Sequence, residues 1–112
     1  MDNSTNGSVA GLAEPKAKAG RAATISKTFV LHNLHGLHAR PAALLVRTLQ
    51  HFRCEMLVTC GDATANGQSI FGLMTLAAGP GSKLSFAATG PDAAPAMEAV
   101  AQLFSTNFHE AY

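Results

Sequence analysis

The sequence carries little charge and lacks the features that mark several specialised classes of protein. Among its 112 residues, 8 are Lys or Arg and 7 are Asp or Glu, so the formal net charge is only +1. No run of basic residues occurs, which argues against a nucleic-acid-binding surface. No apolar stretch is long enough to span a bilayer, and the N-terminal region lacks the continuous apolar segment of a signal peptide. We therefore expect a cytoplasmic protein that neither binds nucleic acid nor inserts into a membrane.

The two cysteines, Cys54 and Cys60, lie in one predicted strand. Six residues of strand span roughly 20 Å, whereas a disulfide requires α-carbons within about 7 Å, so the two cannot bridge each other within that strand. Neither their spacing nor that of the five histidines fits a zinc site. The sequence therefore predicts buried, reduced thiols, which suit the cytoplasm, and no metal or other cofactor.

The chain divides into a tail and one small domain. Residues 1–25 combine small residues with scattered charge, and their sizeable apolar groups are Val9 and Leu12, which predicts a disordered N-terminal tail. Hydrophobic residues make up 47% of the chain, enough for a core. Residues 26–112 are therefore predicted to fold as a single domain.

Hydrophobic periodicity predicts the order βαββαβα for this domain. The predicted strands cover residues 28–32, 54–60, 63–66 and 83–89. The predicted helices run from Ala39 to about Phe52, from Ser69 to about Ala77, and onward from Asp92 as N-cap. One face of the last helix is predicted to carry Met97, Val100, Ala101, Phe104 and Phe108. An α/β (α+β) chain with so few strands is expected to form one sheet with its helices on a single face.

The run Gly36-Leu37-His38-Ala39-Arg40-Pro41-Ala42 is the most informative part of the sequence. Pro41 fits the first turn of a helix, where amide hydrogens have no carbonyl partner. The following apolar residues recur at helical spacing, so this helix packs on a core. Its unpaired amides, those of Ala39 and Arg40, and the positive end of its dipole would face the group that His38 carries. The pattern predicts an anion site, most simply for a phosphoryl group bonded to the imidazole.

This motif resembles the active site of HPr, the histidine-containing phosphocarrier of the bacterial phosphoenolpyruvate-dependent phosphotransferase system. The resemblance covers about residues 27–110 and includes the order of the elements. It implies an open-faced β-sandwich, in which three helices cover one face of a four-stranded antiparallel sheet. It also implies a monomer that accepts a phosphoryl group from enzyme I and passes it to enzyme IIA-type proteins.

The chemistry of His38 and Arg40 agrees with that resemblance. Imidazole is largely neutral and nucleophilic near pH 7, and the phosphoramidate that it forms passes its phosphoryl group on readily. Arg40 adds a permanent positive charge and a forked set of donors that matches phosphate geometry. Phosphoryl transfer needs positioning and charge stabilisation more than covalent help. His38 is therefore the predicted phosphohistidine, with Arg40 as its catalytic partner.

Two groups of residues are predicted to dock protein partners. At about 100° per residue, Arg40, Leu44 and Arg47 share the helix face opposite the core, and an exposed leucine between two arginines suits an acidic, partly apolar partner. In the second helix, Ile70, Phe71 and Met74 form an apolar sector turned away from its other apolar residues. Such a sector on a small domain predicts an exposed binding patch.

Ser69 precedes that patch as a predicted N-cap. The run from Ser69 to Met74 resembles the regulatory serine segment of HPr proteins, in which an HPr kinase/phosphorylase modifies the serine. Many members with this regulation carry Lys or Arg just before the serine, where this chain has Gln68. A phosphate here would place about two negative charges beside the apolar patch and repel partners that dock through apolar and acidic surfaces.

Two alternatives to sugar transport stay open. The segment Ala88-Thr89-Gly90-Pro91 together with Phe104 and Phe108-His109-Glu110 resembles NPr, the carrier of a nitrogen-related regulatory branch. An HPr-like co-regulator that acts only through Ser69 is the other alternative. Members of that kind lack the active histidine, and this chain has it.

Overall fold

The structure, a computed structural model, describes residues 24–110. Its strands are β1 (Thr24–Val30), β2 (Glu55–Cys60), β3 (Ala63–Asn66) and β4 (Lys83–Thr89). Its helices are α1 (Ala39–Leu49), α2 (Ile70–Thr75) and α3 (Ala93–Ser105). The predicted order βαββαβα is confirmed. Strand β1 begins at Thr24, two residues before the predicted boundary, and the rest of the predicted tail lies outside the described residues.

The four strands form one antiparallel sheet in the order β1-β4-β2-β3. Alternation places every second residue of the central strands on the covered face, where Met56, Val58 and Phe86 are fully buried. The three helices supply the rest of the core from that side, and the α+β open-faced sandwich is confirmed. The opposite face carries hydroxyl pairs between neighbouring strands, among them Thr28 with Ser85 at 3.0 Å.

Helix α1 follows the predicted pattern. The residues that it buries are Pro41, Ala42, Leu45, Val46 and Leu49. The regular helix ends at Leu49, three residues before the predicted end. Looser turns carry the chain on, since the Phe52 amide still donates to the Leu49 carbonyl at 3.2 Å. Helix α2 is also shorter than predicted, because Ser69 lies outside it as N-cap and Ala77 has a left-handed backbone with φ of 52°.

Asp92 occupies the N-cap position of α3, but its side chain does not cap that helix. Its Oδ2 instead accepts a hydrogen bond of 2.7 Å from the backbone amide of Arg53. The carboxylate therefore joins the start of α3 to the loop before β2, a role that the local sequence does not reveal.

Phe108 does not lie on α3 as predicted. The helix ends at Ser105, and a turn at Asn107–His109 follows in which the residues have left-handed backbones with φ of 54°, 56° and 60°. This turn directs Phe108 into the core, where it is 3% exposed and its ring centroid is 5.0 Å from that of Phe104. Burial of a phenylalanine is worth about 2–3 kcal/mol, which offsets part of the strain of these left-handed backbones. Helical periodicity cannot anticipate this turn.

Cys54 and Cys60 are both free thiols. They are half-buried rather than buried as predicted. Partial burial, together with the nearby Asp92 carboxylate, raises the pKa of the Cys54 thiol. Within residues 24–110, no helix is both long enough and apolar enough to cross a membrane.

Candidate functional site

His38 occupies the N-cap position of α1 in an extended conformation (φ −95°, ψ −170°). Its carbonyl accepts the first helical hydrogen bond, from the Ala42 amide at 3.1 Å. Its side chain is 35% exposed and caps none of the helix amides. The ring therefore stands at the start of the helix with part of its surface open to solvent.

The first turn of α1 offers hydrogen-bond donors beside this ring. Within the part of the chain that the structure describes, the amides of Ala39 and Arg40 donate no hydrogen bond, and Pro41 has no amide hydrogen to donate. Arg40 is exposed and forms no ion pair with residues 24–110. Two amides and one guanidinium are thus free to bind an anion at the N-terminus of α1, as the sequence predicts.

The opposite edge of the imidazole faces a carboxylate. Nε2 of His38 is buried and lies 3.4 Å from Oε2 of Glu110, whose side chain is only 8% exposed. The other carboxylate oxygen, Oε1, accepts a hydrogen bond of 2.6 Å from Nδ2 of Asn33. Neither Glu110 nor Asn33 is among the site residues predicted from the sequence. They lie 77 positions apart, and no local pattern links them.

A backbone platform supports the loop that leads to His38. The Leu37 amide donates to the Ala78 carbonyl at 2.8 Å, and the His38 amide donates to the Gly36 carbonyl at 3.1 Å. Gly36 has φ of +69°, and a Cβ there would lie 2.3 Å from the carbonyl oxygen of Ala78. Only glycine fits this position, so the loop is seated directly on the segment after α2.

A cleft of about 260 Å³ adjoins the site. The residues that line it are Arg40, Leu44, Arg47, Phe108, His109 and Glu110. Leu44 is half-buried rather than exposed as predicted, because it packs against the core beside the C-terminal segment. Arg47 is exposed. The predicted docking face of α1 thus contains the leucine and both arginines, and these residues form one wall of the cleft.

The predicted patch on α2 is present as an exposed apolar surface. Phe71 is 83% exposed, Met74 41% and Ile70 37%, and these are large fractions for apolar side chains. Ser69 caps the helix, since its Oγ accepts a hydrogen bond of 3.0 Å from the Gly72 amide. Gln68 is held by its own contacts, with its amide nitrogen Nε2 donating to the Cys54 carbonyl at 3.2 Å.

A family profile described as "PTS HPr component phosphorylation site" matches residues 25–106. The chain belongs to the HPr family. The phosphocarrier protein HPr of Treponema pallidum is 38% identical over 86 residues, which are 77% of this chain and 98% of that protein. The phosphocarrier protein NPr of Escherichia coli K12 is 35% identical over 88 residues, which are 78% of this chain and 98% of that protein.

Solved structures agree with this membership. The crystal structure of HPr-C-His from Thermoanaerobacter tengcongensis superposes with a TM-score of 0.75 at 34% identity, over 79% of this chain and 99% of that one. The chain is thus an HPr/NPr-like phosphocarrier of the phosphotransferase system, and its partners are proteins of that system.

Proposed function

We propose that His38 is the residue of this HPr-family protein that carries the phosphoryl group, accepting it from enzyme I and passing it to enzyme IIA-type proteins. The observation that carries the proposal is the position of the imidazole between two kinds of group. Free amides and Arg40 lie at the start of α1, and the Glu110 carboxylate lies against Nε2. One side can bind a phosphoryl group, and the other can stabilise the ring that bears it.

The geometry favours Nδ1 as the acceptor atom. Nε2 is buried against Glu110, so phosphorylation there would require the carboxylate to leave. Nδ1 is the ring nitrogen nearer the backbone, and polar side-chain atoms at this distance from the N-cap backbone reach the amides of the first helical turn. A phosphoryl group on Nδ1 would therefore meet the amides of Ala39 and Arg40.

The transfer step follows from this placement. The lone pair of Nδ1 attacks phosphorus while the P–N bond of the donor phosphohistidine breaks, and its electron pair returns to the donor imidazole. The proton on Nε2 stays in place, so the phosphorylated ring gains positive character beside the Glu110 carboxylate. Arg40 and the amides balance charge on the phosphoryl oxygens.

Incubation with phosphoenolpyruvate and a cognate enzyme I tests the assignment. One phosphoryl group should be added, through a linkage that is labile in acid and stable in alkali, as a phosphoramidate is. His38→Ala should abolish the labelling, whereas His51→Ala should not, because His51 is exposed beyond the other end of α1. Undiminished labelling of the His38→Ala protein would refute the proposal.

We assign the docking of enzyme I and of enzyme IIA-type proteins to one surface made of α1 and α2. Leu44 and Arg47 of α1 offer a basic, partly apolar wall, and Ile70, Phe71 and Met74 of α2 offer an apolar patch. Helices α1 and α2 pack against each other, so the two groups belong to neighbouring elements. An acidic partner with apolar side chains at its centre fits this combination.

Regulation at Ser69 is the second part of the proposal, with an HPr kinase/phosphorylase as the modifying partner. Ser69 is half-buried and adjoins the exposed side chains of Ile70 and Phe71, so a phosphate there would lie beside the docking patch. Ser69→Asp should slow phosphorylation of His38 by enzyme I, most strongly at low salt. Ser85→Asp adds the same charge on the uncovered sheet face and should not slow it. Equal rates for both variants at low salt would contradict the shared surface.

Transfer from the phosphorylated protein distinguishes the sugar branch from the nitrogen branch. Rapid transfer to a sugar-specific enzyme IIA supports the first, and rapid transfer only to a nitrogen-type IIA supports the NPr-like alternative. A chain that accepts no phosphoryl group on His38 but binds a regulator when Ser69 is phosphorylated would be a co-regulator instead.

A further inference from the structure

Asn33 is the one buried polar side chain in the part of the chain that the structure describes, and it is 0% exposed. It lies in the loop between β1 and α1. Its Nδ2 donates to Oε1 of Glu110 at 2.6 Å, which joins this loop to the segment that follows α3. Hydrogen bonds from a neutral donor to a carboxylate are among the stronger ones in proteins, so this contact fixes where the carboxylate lies.

The same carboxylate reaches His38 through its second oxygen. Oε2 lies 3.4 Å from Nε2, which is longer than a hydrogen bond and lacks the geometry of one. Contacts at catalytic groups are often long in the resting protein and shorten when charge develops. The three side chains thus form a row in which Asn33 holds Glu110, and Glu110 faces the imidazole.

We propose that Asn33 is a positioning residue, which acts through Glu110 to set the tautomer of His38. This inference rests on the proposed function, in which His38 accepts the phosphoryl group. A carboxylate held against Nε2 can only accept a hydrogen bond, so it favours the imidazole with its proton on Nε2. The lone pair is then on Nδ1, at the start of α1.

The unpaired oxygen of Asn33 supports a functional role over a purely structural one. Oδ1 is buried and has no hydrogen-bond partner. An unsatisfied buried acceptor is unfavourable, and an apolar residue of similar volume would avoid it. The hydrogen bond from Nδ2 to Glu110 is therefore the contact that accounts for an amide side chain at position 33.

Other charged or titratable groups surround the ring without replacing this contact. The ring centroid of His35 is 5.8 Å from that of His38. Arg40, Arg47 and His109 line the cleft together with Glu110. Glu110 is the group that meets Nε2 within ion-pair distance among the described residues. The orientation of its carboxylate therefore dominates the choice of tautomer.

Exchanging the amide and the carboxylate tests the inference without any phosphoryl donor. In Glu110→Gln, Asn33 still donates to the side-chain oxygen of residue 110, so the new amide nitrogen faces Nε2 and the proton should move to Nδ1. In the double variant Asn33→Asp/Glu110→Gln, the carboxylate at 33 accepts from that amide nitrogen. The amide oxygen then faces Nε2, and the proton should return to Nε2. The ¹⁵N shifts of the His38 ring at alkaline pH, where imidazole is neutral, report the tautomer.

Phosphorylation rates provide the second readout. Glu110→Gln should be phosphorylated about tenfold more slowly than wild type, by analogy with the lower end of the loss seen when the partner that orients a metal-ligating histidine is changed. The double variant should recover most of that loss. Val58→Ala, a core substitution in β2, controls for loss of stability alone and should keep the wild-type rate.

Two results would overturn the inference. One is the same His38 tautomer in Glu110→Gln and in the double variant. The other is a double variant that regains the Nε2–H tautomer but not the rate, while Val58→Ala retains its rate. A wild-type protein that enzyme I does not phosphorylate would refute the proposed function instead, and the ring spectra would still decide whether Asn33 and Glu110 set the tautomer.

Discussion

Replacement of Gly36 by alanine should damage the site far more than the loss of one glycine suggests. Two glycines of similar backbone allow the effect to be divided into parts: Gly36 has φ of +69° and Gly61 has φ of +61°. A Cβ at Gly61 meets nothing within 4 Å, so Gly61→Ala measures only the left-handed backbone. That strain is about 1–2 kcal/mol, and the lower entropy of the unfolded alanine chain offsets about 0.4–1 kcal/mol of it. We therefore expect Gly61→Ala to lower the free energy of unfolding by roughly 1 kcal/mol.

Gly36→Ala adds a steric conflict to the same strain. Its Cβ would lie 2.3 Å from the Ala78 carbonyl oxygen and 2.8 Å from the Gly79 α-carbon, both of which are backbone atoms. Relief of the clash must lift the loop and break the hydrogen bond from the Leu37 amide to Ala78, which removes about 1 kcal/mol and leaves polar groups unpaired. The free energy of unfolding of Gly36→Ala should therefore fall by about 3 kcal/mol. The loss cannot exceed the free energy needed to detach the loop from the segment after α2.

Thermal unfolding followed by circular dichroism checks these values. In a domain of this size, 1 kcal/mol shifts Tm by about 4–8 °C, so a difference of about 2 kcal/mol should make Gly36→Ala melt about 8–16 °C below Gly61→Ala. The Gly36→Ala protein should also accept phosphoryl groups slowly at temperatures where it is fully folded, because the loop carries His38. Equal melting temperatures for the two variants would refute the seating of the loop on Ala78 and Gly79.

Two further predictions concern Arg40 and the N-terminal tail. Arg40→Ala should slow phosphoryl exchange about a hundredfold without unfolding the domain, as expected when one preorganised charged donor is lost. Arg47→Ala removes an equal charge farther along the same cleft and should slow exchange only a few-fold, so equal rates for the two variants would contradict the role of Arg40. Removal of residues 1–23 should change the free energy of unfolding by less than about 0.5 kcal/mol, measured by urea denaturation, because the predicted tail buries almost nothing. A larger loss would mean that the tail packs against the domain.

Features that depend on local periodicity were predictable from the sequence. The buried face of α1 follows from apolar residues at helical spacing, and the covered face of β2 follows from strict alternation around Met56 and Val58. The N-cap position of Ser69 was predictable for the same reason, because a cap is decided by the residues next to it. His38 and Arg40 at the start of α1 also belong to this local class.

Features that depend on contacts between distant segments were not predictable. Leu44 was expected to be exposed, but Phe108 and Glu110 from the far end of the chain line the same cleft. Asp92 was expected to cap α3, but its carboxylate binds the Arg53 amide instead. In each case the competing partner lies far away in sequence, and periodicity carries no information about it.

The C-terminal turn explains how a core contact sets the position of the site's carboxylate. Left-handed backbones at Asn107, Phe108 and His109 are unfavourable by about 1–2 kcal/mol each, or roughly 3–6 kcal/mol together. Burial of the Phe108 ring returns about 2–3 kcal/mol, and the hydrogen bond from Asn33 to Glu110 adds about 1.5–3 kcal/mol. Neither contact alone outweighs the strain by a clear margin, so the turn is stable because both form together. The ring in the core and the carboxylate at His38 are therefore one structural unit, and a change that loosens either end should loosen the other.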